Sequence, residues 1–366
     1  MKLSIAVLPG DGVGPEIVAE GVKVLGAIGE RFGHDFTFRE GQMGAAAFER
    51  TGIALSRETV ELCKSCDSIL FGAVGDPKFE QPNLKLRPEL GYGLIRLRKE
   101  LGLFANIRPV RLFPSLINST NFKPEVVNGV DFIIIRELTG GIYFAEPKQV
   151  FRDSGARRAV DTCAYSEEEI RRILTVGFEL ARGRRKKLTS VDKFQILRTS
   201  DLWREIAKEV AAEYPDVEVE YGLVDSTAMR LILSPRDFDV VVTENLFGDI
   251  LSDEASMLAG SLGMMPSASI AEIPGSGKRL FGLYEPIHGS APTLKGLNVA
   301  NPIAIILSVA LMLRYSFGLH QEAKSIEDSV DQVLREGYRT EDIMSPGNTK
   351  VGTKEMGELI VTKVLA

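Results

Sequence analysis

A chain of 366 residues is longer than a single hydrophobic core usually supports, so two domains are expected, burying about three quarters of the unfolded surface. With 44 Lys and Arg against 50 Asp and Glu the net charge is −6, and the one dense basic run, Arg182 to Lys187, is broken by Gly183, which argues against a nucleic-acid partner. Three cysteines argue against a disulfide framework, and the Cys63/Cys66 pair lies in a helical pattern without the histidine or second pair that zinc would need.

The chain opens MKLSIAVLPGDG, passing straight into a strand, Ser4 to Leu8, and a Gly-rich turn, Pro9 to Gly14, with no long apolar leader. The longest apolar run, Pro302 to Leu313, is too short to span a bilayer. A cytoplasmic protein with no membrane partner is expected. Pro15 suits the first turn of a helix over Glu16 to Glu30. This looks like a nucleotide-binding unit, but Gly10, Gly12 and Gly14 do not have the spacing of the dinucleotide fingerprint. The later GSGK, Gly275 to Lys278, likewise lacks the rest of a Walker loop.

Strand Ser68 to Ala73 leads into a long polar, Pro-rich loop, Gly75 to Gly93, and then helix Leu94 to Leu101. An extended run from Phe104 to Leu112 and strand Val130 to Arg136 put Arg98, Arg108 and Arg136 at or beside element ends. Each alone reads as a surface residue. Together they could converge on an anion, because guanidinium forks match carboxylates bidentately. Two extended runs, Ile142 to Phe151 and Arg157 to Ala164, joined by the turn Arg152 to Gly155, predict a hairpin. Helices Ser166 to Arg182, Asp201 to Tyr214 and Ser226 to Leu233 then alternate with strands Lys187 to Val191, Val217 to Gly222 and Phe238 to Thr243, the pattern of a sheet covered by helices.

Directly after that last, wholly apolar strand stands NLFGDILSD, Asn245 to Asp253. If a helix starts near Asn245, Asp249 and Asp253 share one face with Cβ atoms about 5 to 6 Å apart. Surrounding Leu246, Phe247, Ile250 and Leu251 make unpaired carboxylates costly there, so a cation is expected. A solvated acidic pair suited to the helix dipole is the competing reading. Position favours a site, since open α/β sheets bind ligands beyond the carboxyl ends of their strands. Without nearby His or Cys, the natural cation is Mg²⁺ or Mn²⁺. Beyond it a strand at Ser267 to Ala271, a loop from Glu285 to Pro302, the apolar helix and two terminal helices complete the chain.

Four stretches, LRKELGLFANIRP (Leu97 to Pro109), RELTGGIYFAEP (Arg136 to Pro147), NLFGDILSDEAS (Asn245 to Ser256) and EPIHGSAP (Glu285 to Pro292), resemble the β-decarboxylating dehydrogenases of the isocitrate/isopropylmalate dehydrogenase family, in the family's order. The resemblance implies an α/β two-domain fold, a mixed sheet flanked by helices with no true Rossmann domain. One domain would combine residues 1–103 and 260–366, the other 104–259, with the hairpin at about 142–165 as a dimer arm. It implies Tyr143 as acid and Lys193 as base, and Arg98, Arg108 and Arg136 as ligands of the substrate carboxylates. Leu94, beside Ile95, would form the pocket for the substrate's side chain. Asp225, Asp249 and Asp253 would hold the metal, Asp225 also touching substrate, and Lys193 and Asp225 would serve the partner subunit's site in a homodimer. Cofactor contacts would come from Asp76, Glu89, His288, Gly289, Ser290, Ala291, Pro292 and Asn301.

The implied reaction is NAD- and Mg²⁺- or Mn²⁺-dependent oxidative decarboxylation of a small 2-hydroxy dicarboxylate. The foremost substrate is 3-isopropylmalate of leucine biosynthesis; homoisocitrate, isocitrate, tartrate and D-malate are the alternatives. A Mg²⁺-dependent phosphoryl transferase lacks a Walker sequence, and an inactive ligand-binding homologue is at odds with the retained Tyr143 and Lys193. The chain departs from the family's pattern in RPELGYGLIRLR (Arg87 to Arg98), about two residues longer than usual, and in Ser226 and Thr227 beside Asp225. It departs again at Thr293 and Leu294, where neither a carboxylate for NAD nor a cation for NADP appears.

Overall fold

The computed structural model describes residues 1–79, 87–275 and 279–366, with side chains omitted from 87 to 92. The principal strands are β1 (Lys2–Gly10), β2 (Asp35–Glu40), β3 (Ser68–Ala73), β4 (Ala105–Arg111) and β5 (Asp131–Glu137), then β6 (Gln149–Asp153) and β7 (Ala156–Val160) of a separate hairpin. They continue as β8 (Lys187–Asp192), β9 (Glu218–Leu223), β10 (Val240–Thr243), β11 (Pro266–Ile270) and β12 (Gly282–Pro286). All but β6 and β7 join one ten-stranded sheet in the order β2-β1-β3-β12-β11-β4-β5-β10-β8-β9. Its flanks are parallel, and the run β12-β11-β4-β5 at its centre is antiparallel. The α/β class and the mixed sheet are as expected.

Burial explains the strand sequences. β3 and β10 are buried at every position, and both read as continuous apolar or small-residue runs rather than alternations. Helix Ile303–Tyr315 is buried from Ile303 through Leu313 and packs on β11 and β12, which is why it is apolar all round. Among the described residues no helix is long and apolar enough to cross a membrane.

The larger departures from expectation are two boundaries and two additional strands. The helix placed at Leu94 to Leu101 runs from Arg87 to Glu100, so the Pro-rich connection is shorter than expected. β2 and β12 are additional strands: β2 is an exposed edge with little burial pattern, and β12 is short and ends in Pro. The hairpin strands begin only at Gln149, because Pro147 has no N–H for a ladder, and Ile142 and Tyr143 lie in a 3-10 turn, Gly141–Tyr143. The hairpin's two turn residues, Ser154 (φ 50°) and Gly155 (φ 84°), are both left-handed, which matches the right-handed twist of the paired strands.

Candidate active site

Helix Asn245–Ser256 begins two residues beyond β10, as the sequence predicts, and Glu244 caps it, accepting from the N–H groups of Leu246 (3.1 Å) and Phe247 (2.8 Å). Gly248 lets the helix lie against β5: a Cβ at that position would stand 2.8 Å from Cβ and Cγ of Arg136. On the antiparallel pair β4-β5, Asn106 lies opposite Arg136 and Arg108 is two residues along, so all three side chains share the face that meets this helix. The cation demanded by Asp249 and Asp253 is therefore supplied, within one chain, by two guanidiniums. Arg136 Nη1 donates to Asp249 Oδ1, Arg108 Nη2 lies 3.5 Å from the same oxygen, and Arg108 Nη1 is 3.7 Å from Asp253.

Arg98 reaches in from helix Arg87–Glu100 and pairs with Glu285 of β12 at 2.6 Å. All three arginines are buried. Burial first, and the neighbouring charge of Arg108 next, push the Arg136 pKa down, while Asp249 opposes the shift. An anion bound here would relieve that repulsion. Arg98 Nε has no hydrogen-bond partner among the described residues, an open donor of the kind a ligand carboxylate satisfies.

Tyr143 donates to Asp249 Oδ2 at 2.9 Å, with the Arg136 guanidinium 5.5 Å from its ring centre. Burial, then the Asp249 charge, raise its pKa, so the phenol keeps its proton at neutral pH. The turn that presents it is folded around the buried Glu137, which accepts from Thr139 N (2.8 Å), Thr139 Oγ1 (2.7 Å) and Gly140 N (2.8 Å).

Arg98, Arg108, Arg136, Tyr143, Asp249, Leu94, Ile95, His288 and Gly289 line one cavity of about 340 Å³. A wider cleft of about 860 Å³, walled in part by Phe113, Leu311 and Tyr315, holds none of these groups, so size alone would select the wrong pocket. Lys193 and Asp225 do not line the 340 Å³ cavity. They pair with each other at 2.9 Å, at the ends of β8 and β9, with Asp225 largely exposed.

Two loops reach the cavity from the other half of the sheet. Ser290 Oγ donates to Gly75 O (2.6 Å), and Ser290 O accepts from Val13 N (2.8 Å). Gly12 is required at this crossing, since a Cβ there would meet Ser290 O at 1.9 Å. The side chains of Asp76 and Asn301 are engaged locally: Asp76 accepts from Lys78 N (2.9 Å), and Asn301 accepts from Ile303 N (3.0 Å) while donating to Asp342 (3.0 Å). Ala291 and Pro292 enter a 3-10 turn, Pro292–Leu294, and the side chain of Glu89 lies outside the described residues.

The donor set fits a hard divalent ion. Asp249, about one-third exposed and engaged by Arg136 and Tyr143, and the more exposed Asp253 present carboxylates from one side of the helix, and no third acidic, His or Cys ligand joins them among the described residues. Two carboxylates completed by ligand oxygens is a usual Mg²⁺ arrangement. Sequence reasoning overlooked Glu137, Asn245 and Glu285, although Asn245 opens one of the quoted motifs and Glu285 another.

A family model described as isocitrate/isopropylmalate dehydrogenase matches residues 4–360. A 3-isopropylmalate dehydrogenase of Dehalococcoides mccartyi is 59% identical over 361 residues, covering 98% of each chain. One from Geobacillus kaustophilus is 55% identical, covering 99% of this chain and 95% of its own. Among solved structures, isocitrate dehydrogenase from Methylococcus capsulatus superposes with a TM-score of 0.85 at 33% identity, covering 100% of both chains.

Proposed function

Because the chain belongs to the isocitrate/isopropylmalate dehydrogenase family, we propose that it oxidises and decarboxylates (2R,3S)-3-isopropylmalate to 4-methyl-2-oxopentanoate, a step of leucine biosynthesis in the cytoplasm. The observation that carries the reading is one cavity lined both by three buried guanidiniums and by apolar Phe71, Leu94 and Ile95. That combination suits a dicarboxylate bearing a hydrocarbon branch. Homoisocitrate or isocitrate would press a third carboxylate on the apolar lining, at a cost of several kcal/mol if left unpaired. The assay follows absorbance of the reduced nicotinamide with NAD, Mg²⁺ and a panel of 2-hydroxy acids. Turnover of 3-isopropylmalate well above the others is expected, and no turnover of any would refute the enzyme reading.

The family's dehydrogenases generally use NAD and a divalent metal, and we assign both to this chain, with Mg²⁺ or Mn²⁺ held by Asp249 and Asp253 and by Asp225 of a second copy. Bound there, the ion would supply Lewis-acid polarisation of the substrate hydroxyl and a counter-charge for developing negative charge. Arg98, Arg108 and Arg136 hold the carboxylates and orient the substrate. Lys193, supplied by the second copy, takes the hydroxyl proton. Tyr143, protonated at neutral pH, returns a proton to the enol carbon. Asp76, Glu89, His288, Gly289, Ser290, Ala291, Pro292 and Asn301 would hold NAD, which would accept the hydride.

We further propose two domains, 1–103 with 260–366 and 104–259, and a homodimer built on the second. Helices Val224–Leu233 and Asn245–Ser256 pack together, and Met229, Ile232, Leu233 and Ile250 are exposed on them. An uncovered patch of this kind supports a protein partner. The hairpin exposes Val150 and Phe151 as well.

The cofactor preference is open to a direct test. Thr293, Leu294 and Lys295 are exposed on a turn anchored by Glu16, which accepts from Gly296 N, and by Asn298, which accepts from Lys354 N (3.0 Å). Among the described residues the turn itself carries one flexible cation, Lys295, and the nearby Glu16 carboxylate is engaged with Gly296 N rather than placed on Thr293 or Leu294. NAD should be preferred, by a modest margin, and Thr293→Asp should widen the margin about tenfold by charge repulsion. The measurement is kcat/KM with both cofactors. Unchanged discrimination in the variant would place the adenosine ribose elsewhere.

A further inference from the structure

The side chain that opens the helix bearing Asp249 is 1% exposed, and both ends of its amide are engaged. Asn245 Oδ1 accepts from Arg136 Nε at 3.0 Å and from Arg136 Nη2 at 2.8 Å. Its Nδ2 donates to Gly140 O at 3.2 Å, three residues before Tyr143. The orientation of the amide is dictated by these partners, because a guanidinium has only donors and a carbonyl only acceptors.

The backbone behind it is held as firmly. Asn245 N donates to Tyr165 Oη (3.0 Å), and Tyr165 donates in turn to Glu244 (3.1 Å). The Tyr165 ring fills the space where side chains on Gly140 and Gly141 would stand, with Cβ positions 2.6 and 2.3 Å from its atoms. Neither the helix start nor the Gly140–Gly141 turn can shift without the other.

We propose that Asn245 is a positioning residue that registers the Tyr143 turn against the Arg136 guanidinium, so that the proton donor and the carboxylate ligand are set by one amide. The proposal rests on the functional reading above. It divides the two roles between the two ends of the side chain. Oδ1 occupies the Nε/Nη2 edge of Arg136 and leaves Nη1 directed at Asp249 and the cavity, which governs substrate affinity. Nδ2 holds the Gly140 carbonyl and thereby the distance from the Tyr143 hydroxyl to the substrate, which governs turnover.

Two variants separate the roles. Asn245→Asp keeps an acceptor for Arg136, stays ionised beside that cation, and suits the first turn of a helix, but it sets an acceptor against Gly140 O. It should keep KM for 3-isopropylmalate within about threefold of wild type while kcat falls at least about tenfold, since an ångström of misplacement can cost two orders of magnitude. Asn245→Ala releases both partners and should add a rise in KM of about tenfold or more to a similar fall in kcat. Parallel losses in the two variants with no KM difference between them would make Asn245 merely structural and overturn the proposal, as would wild-type kinetics in both. Wild type runs in the same assay: if it fails to turn over 3-isopropylmalate the functional reading falls and this proposal with it, whereas active wild type with the wrong variant pattern sinks only the role of Asn245.

Discussion

Lys193→Met is expected to lower turnover of 3-isopropylmalate by about 10³-fold, within the range that a positioned base contributes, and mixing this chain with an equally inactive Arg98→Ala chain is expected to bring activity back. The geometry motivates both halves. Lys193 is paired with Asp225 and stands outside the cavity that holds Arg98, Arg108 and Arg136, so a site that needs the lysine must take it from another copy. In a mixed dimer one site receives intact Arg98 from one chain and intact Lys193 from the other, and the second site lacks both. Random exchange then restores about a quarter of the wild-type sites. Subunit exchange verified by mass, followed by the nicotinamide assay, is the check. Proven exchange without recovery would mean that each chain builds its site alone.

Asp249→Asn should eliminate Mg²⁺ activation, and the structure reverses what the sequence suggests about its effect on the metal-free protein. From spacing alone, neutralising one of two adjacent carboxylates relieves repulsion and leaves the fold intact. In the structure Asp249 is instead the counter-charge of two buried guanidiniums, Arg136 and Arg108. Breaking a fully buried pair costs 3–5 kcal/mol. Asp249 is about one-third exposed and Asp253 remains near Arg108, so a loss of about 1–3 kcal/mol is expected. Denaturant unfolding without metal, beside an Mg²⁺ titration of activity, reads the two effects separately. An apo variant as stable as wild type would show that the arginines do not depend on Asp249.

What could be read from the chain follows from how local the cause is. The buried strand and helix around Asn245, the apolar helix and the hairpin turn are dictated by neighbours in sequence: wholly apolar runs, a 3.6-residue period, Ser154-Gly155. β12 is a strand because it lies between β3 and β11, from distant parts of the chain, and no local pattern in GLYEP announces that. β2 is exposed at most positions and carries hardly any burial signal. The demand for a cation at Asp249 was legible; that two arginines meet it depends on the β4-β5 register, which fixes Arg136 opposite Asn106 and which spacing cannot supply. Asn245 escaped for the same reason, since both of its partners come from over a hundred residues earlier.

The strand order also has a consequence for synthesis. β4, β5, β10, β8 and β9 are consecutive in the sheet and all emerge between Ala105 and Thr243, so this part can close as soon as it leaves the ribosome. β3 cannot. Its inner neighbour β12 begins only at Gly282, roughly two hundred residues later, a delay of about 10–40 s at ordinary elongation rates. Throughout that interval SILFGA, buried at every position in the finished protein, presents an unpaired apolar edge to other nascent chains. A ribosome stalled before Gly282 therefore leaves an aggregation-prone intermediate, and the demand this protein places on chaperones is concentrated in that window.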